Sequence, residues 1–186
     1  MSCKAWQQEN RTSGLAYLRK DPTRALRTWH EGRAYALDHR VPLPEAVIAR
    51  DAATAEAGGG DFARTLTFYD TAIDSFHQAG NIPDLGIALF SLVGCFTRLQ
   101  RPTIAATLLG ALPASLFGAF KDNLLYPGEA ERLTIRLRSV LGEDAFQRCT
   151  ETGAAIDPTE AVHYARTQIQ LASQELQTDR PPPNIG

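Results

Sequence analysis

A chain of 186 residues, 44% hydrophobic and 22% charged, has the composition of an ordinary folded protein and the length for one sizeable core or a short repeat array. A formal net charge of -2 gives no overall electrostatic bias toward nucleic acid, and the basic excess of residues 1–50 (nine Lys or Arg against five Asp or Glu) is spread over several helices as solvated surface. Three widely separated cysteines, Cys3, Cys95 and Cys149, with no CxxC pair, argue against a disulfide framework or a zinc site. No apolar run reaches the ~18–20 residues of a membrane span, and the first residues lack the apolar core of a secretory signal.

Residues 1–12 are polar and without periodicity, so a frayed or disordered start is expected. The stretch from Ser13 to Lys20 reads as the end of a helix. Asp21-Pro22 then opens a helix over Thr23 to His39, because Asp accepts from free N–H groups of a first turn and Pro is tolerated where no N–H is needed. Pro42 and Pro44 break that helix, and Glu45 begins another that ends at Gly58-Gly59-Gly60. Asp61 caps the central helix. In it Phe62, Leu66, Tyr69, Ile73 and Phe76 are spaced four, three, four and three residues apart, which puts them on one helical stripe. Gly80-Asn81 ends this helix and Pro83-Asp84 opens the next, which is apolar nearly all round and belongs in the middle of a stack, with Cys95 as a small core residue. Arg101-Pro102-Thr103 starts a helix that Pro113 ends or kinks. Residues 114–128 are irregular, Glu129 to Leu141 and Glu143 to Thr152 read as helices, and Asp157-Pro158-Thr159-Glu160 is a capping box before the last helix. Residues 178–186 form a proline-rich tail expected to be disordered.

The starts repeat. Asp21, Asp61 and Arg101 are spaced at an offset of 40, and at that offset Leu26 matches Leu66, Trp29 matches Tyr69, Val47 matches Ile87 and Ala53 matches Val93. Two helices with their turns occupy about 34–47 residues in tetratricopeptide (TPR) and HEAT repeats. The expectation is therefore an all-α domain over residues 13–177, built of stacked antiparallel helical hairpins in a TPR-like right-handed solenoid.

The polar residues carry little recognisable chemistry. There is no HExxH, GxSxG or GxxxxGK[ST] motif, and Gly58-Gly59-Gly60-Asp61 lacks the strand and lysine of a phosphate loop. Asp70, Asp74 and His77 share a helical face that could hold a metal, but a solvated polar face explains them as well. His30 and His39 lie near a helix end, where the dipole favours them, and His163 reads as surface. The adjacent Arg50 and Asp51 point about 100° apart within an apolar helix, so each is free to bond a neighbouring helix or a partner.

The runs RALRTWHEGRAYALDHR, EAVIARDAA, FYDTAIDSFHQAGN, RPTIAATLLGA, LRSVLGEDAFQRC and AVHYARTQIQLA resemble the C-terminal helical region of actinobacterial transcriptional regulators of the LuxR and AfsR-like type. These proteins join an NTPase of the signal-transduction class to a TPR-like tail. The resemblance spans residues 14–177 and implies a helical repeat that senses or relays through protein or ligand contacts. With no Walker motif, cyclase segment or helix-turn-helix present, it implies no ATP hydrolysis or DNA binding by any residue here. The expected function is a non-enzymatic, cytoplasmic interaction module for transcription regulation and signal transduction. It binds a protein partner, another regulator chain being one option, with Arg50 and Asp51 as contacts. No catalytic residue, cofactor, metal, membrane or direct nucleic-acid contact is expected. The alternatives are a small-ligand sensor with an apolar pocket near Phe117, Phe120 and Tyr126, or a truncated remnant of a larger regulator.

Overall fold

The computed structural model describes residues 60–112 and 128–178, and every regular element among them is an α-helix. These are α1 (Phe62–Gln78), α2 (Ile82–Arg98), α3 (Pro102–Ala111), α4 (Glu129–Leu141), α5 (Glu143–Ala154) and α6 (Pro158–Thr178). The helices expected before Gly58, most of the irregular stretch at 114–128, and the tail beyond Thr178 lie outside the described residues.

Helix α1 begins as its sequence dictates. The Asp61 carboxylate accepts from the Arg64 N–H at 3.2 Å, and the Thr65 hydroxyl donates to the Asp61 carbonyl at 2.7 Å. Leu66, Tyr69, Ile73 and Phe76 are each no more than 1% exposed, so the stripe read from their spacing is the buried face. The helix ends in a Schellman turn: Gly80, at φ 63°, donates to the His77 carbonyl at 3.0 Å, and Asn81 donates to the Phe76 carbonyl at 2.9 Å. Asn81 then serves a second purpose. Its side chain accepts from the Asp84 N–H at 3.3 Å and caps α2, which starts at Ile82, ahead of the Pro83-Asp84 pair taken as its opening.

The same turn follows α2, with Gln100 at φ 57° in the glycine position and Arg101 donating to the Phe96 carbonyl at 2.9 Å. Residues 61, 81 and 101 are thus successive N-caps, one helix every twenty residues. Arg101 provides no side-chain cap; Pro102 at the first helical position sets the backbone there.

Helix α2 packs against α1, α3 and α4, as its all-round apolar character requires, while the short α3 packs against α2, α4, α5 and α6. The tightest crossing is that of α3 with α5. A Cβ built on Gly110 would overlap the Thr150 carbonyl, and one on Gly153 would overlap the Thr107 carbonyl, so glycine is what lets the two backbones touch. Phe76, Phe90 and Phe96 are at most 2% exposed, and burial of each contributes about 1.5–3 kcal/mol.

Gly142, at φ 78°, both ends α4 and precedes α5. The Asp157 carboxylate accepts from Thr159 and Glu160 N–H groups at 2.8 and 2.9 Å, while Glu160 accepts from the Asp157 N–H at 3.2 Å, completing the expected capping box. Helix α6 then runs back across the molecule. It lays Val162, Ala165, Ile169 and Ala172 into the common core and packs chiefly on α1, with a lesser contact on α3.

Candidate functional site

Arg50 and Asp51, the contacts expected from sequence, lie outside the described residues, as do Phe117, Phe120 and Tyr126. Among the described residues, polar groups of different helices meet at the junction of α6 with α1, at the Arg101–Glu175 pair, and around a cavity where α1, α2 and α4 come together.

At the junction, Asp70 and Asp74 lie one turn apart on α1, and Arg166 of α6 reaches both. Its Nε donates to Asp70 Oδ1 at 2.8 Å and its Nη1 to Asp74 Oδ1 at 2.5 Å. All three side chains are about a third exposed (34%, 34% and 35%). The hydrogen bond it donates to Asp70, with the charges of both carboxylates, raises the Arg166 guanidinium above its already high value, so the cation is permanent. The acidic face noted as a metal candidate is therefore engaged by a guanidinium. No group of three His, Cys, Asp or Glu comes together among the described residues. His77 is exposed in the last turn of α1, where a cation complements the dipole, and His163 is exposed on α6.

Among the described residues, burial raises the titration of two groups. Desolvation pushes the Cys95 thiol up to about 12, with Arg98 opposing it weakly, so the sulfur stays protonated and unreactive at neutral pH. Burial also raises the half-buried Tyr164 hydroxyl, against a hydrogen bond with Thr107 that lowers it.

The cavity encloses about 50 Å³ and is half-open to solvent. Tyr69 of α1, Phe90 of α2 and Leu133 of α4 give it apolar walls, and Glu129 stands in the first turn of α4. Ser91, Gly94 and Arg98 line it from α2 at positions i, i+3 and i+7, which is one stripe of a helix. Ser91 Oγ is buried and has no hydrogen-bond partner. Glu129 is neutralised by Arg132, whose Nη2 and Nε donate to it at 2.7 and 3.1 Å.

No family model, curated protein or solved structure matches this chain. No helix among the described residues is long and apolar enough to cross a membrane.

The sequence places Asp70 and Asp74 on one helical face but points neither to Arg166 as their partner nor to the cavity. Arg166 carries no local signal that it will meet α1, because its partners are 92 and 96 residues away. Gly94 is visible in the sequence as a glycine inside a helical pattern, which costs about 1 kcal/mol relative to alanine.

Proposed function

We infer that the chain is a helical-repeat interaction module that binds a protein partner, built as a TPR-like right-handed stack of antiparallel hairpins. The observation that carries this reading is the equal spacing of the N-caps at 61, 81 and 101, with the same Schellman turn at both junctions. A hairpin of two such helices occupies 40 residues, within the roughly 34–47 of helical repeats. The Asp21-Pro22 start extends the beat by one unit toward the N-terminus. Helix α6 has a largely polar exposed face and packs chiefly on α1, so it returns to the first described helix and does not extend the stack. The resemblance to the tails of LuxR and AfsR-like regulators supports a role in signal relay to transcription in the cytoplasm, with another regulator chain as one possible partner.

Recognition in this reading is by surface complementarity. The contact surface in this reading is formed by the helix expected over residues 45–57 and its counterpart one repeat on, α2, with Arg50 and Asp51 as the proposed charged contacts. The test is capture from native cell extract by immobilised wild-type protein, beside Arg50→Ala and Asp51→Ala chains of unchanged helicity and melting temperature. A partner held by the wild type and lost by the variants supports the reading. Equal capture by all three removes Arg50 and Asp51 from the interface, and no capture by the folded wild type removes the module.

A further inference from the structure

Gly94 has no structural excuse. A glycine inside a helix weakens it relative to alanine, so the sequence accepts a cost at this position. Gly80, Gly128 and Gly142 are required by positive φ, and Gly110 and Gly153 by an opposing backbone. Gly94 has neither reason: its φ is ordinary, and a Cβ built on it meets no atom within 4 Å. What a longer side chain there would enter is the cavity between α1, α2 and α4. A second cost sits beside it, because the buried Ser91 hydroxyl is left without a partner. The third member of the stripe, Arg98, is exposed and makes no ion pair among the described residues. A helical side chain leans over the turn that precedes it, which for Arg98 is the turn of Gly94. With Glu129 paired to Arg132, the charge left over among the described lining residues is the positive charge of Arg98.

We propose that this cavity binds a short monocarboxylate carrying a second oxygen, of the size of pyruvate or lactate. Arg98 pairs with the carboxylate, the Ser91 hydroxyl bonds the second oxygen, and the carbon chain lies against Phe90, Tyr69 and Leu133. The volume of about 50 Å³ admits only a few heavy atoms, and the positive charge of Arg98, unpaired among the described residues, favours a monoanion over a cation. Affinity for so small a ligand is of millimolar order. This site is independent of the protein-binding reading, and either can fail alone.

The test is thermal unfolding of the full chain, titrated with pyruvate, with lactate and with neutral lactamide. Arg98→Gln, Gly94→Leu and Gly94→Ala chains are measured alongside. A saturable rise in Tm is expected for the wild type with pyruvate or lactate and not with lactamide. Arg98→Gln weakens it at least roughly tenfold, the loss of a charge-assisted bond. Gly94→Leu fills the cavity and abolishes it. Gly94→Ala, which helix propensity favours, raises the ligand-free Tm and shortens the response. If Gly94→Leu does not fold, Gly94→Ala and Arg98→Gln decide. The proposal is overturned by the absence of any saturable rise in the wild type, or by a rise that Arg98→Gln retains in full, which would mark a general salt effect.

Discussion

Gln100 occupies a position made for another residue. Its φ of 57° places a side chain in the left-handed region, where Gly80 sits in the equivalent turn after α1. That conformation costs a non-glycine residue roughly 1–2 kcal/mol, and glycine's extra unfolded-state entropy returns only part of the gain. Gln100→Gly is therefore expected to stabilise the protein by about 0.5–1 kcal/mol, read from urea midpoints at constant m. The reverse holds at the α3–α5 crossing. Gly110→Ala or Gly153→Ala drives a methyl into a carbonyl that cannot swing aside, and each is expected to cost about 3 kcal/mol or more. Cys95 gives a prediction in pH. The unfolded chain releases the thiol proton near 9.0, whereas the folded chain holds it to about 12. The folded state thus binds the extra proton between those values, and stability falls as pH rises through that window. The wild type should lose more stability than Cys95→Ala between neutral pH and about pH 10, and the difference in slope is the readout.

Among elements, the two links that hold α6 differ in kind although each joins an arginine to carboxylate. Arg166 is partly buried and divides itself between two carboxylates one turn apart, so its removal leaves Asp70 and Asp74 as like charges at i and i+4. Arg166→Ala is expected to cost about 1–2 kcal/mol, between the values for exposed and buried pairs, and less in high salt. In the Arg101–Glu175 pair the carboxylate is more than half exposed and has a single partner, and Arg101→Ala is expected to leave the urea midpoint unmoved. Most helix limits in this region were legible in the sequence, because caps and breakers act within a few residues. Asp61, Gly142 and the Asp157–Glu160 box each satisfy or end a turn beside themselves. Asn81 was misassigned as only a terminator because one residue can finish a helix through its backbone and begin the next through its side chain. The use of Gln100 in a glycine position left no local trace, since only the backbone angle reveals it.

At the scale of the whole molecule, the fold departs from what local punctuation can report. Equal spacing predicts that each helix covers its predecessor, and α1, α2 and α3 do pack in that succession. It does not predict that α6 returns to α1. That contact joins residues more than ninety positions apart, through Arg166 and through an interface of mainly small side chains that carry no pairing signal of their own. The cavity was illegible for the same reason, since it needs Tyr69, Ser91, Gly94 and Leu133 from three helices. The return has a thermodynamic consequence. In a stack with only nearest-neighbour contacts, a terminal helix opens first and alone, at a fraction of the global free energy. Here an opening of α6 uncovers part of α1 and strips Asp70 and Asp74 of their shared cation. Native-state hydrogen exchange under rising urea should accordingly show the most protected amides of α1 and α6 merging into one opening reaction. Arg166→Ala should lower both by a similar amount while α3 and α5, joined at their glycine crossing, change less. Independent fraying of α6, with α1 protected to the global limit in both chains, would mean that the junction is a surface contact and that the stack alone sustains the fold.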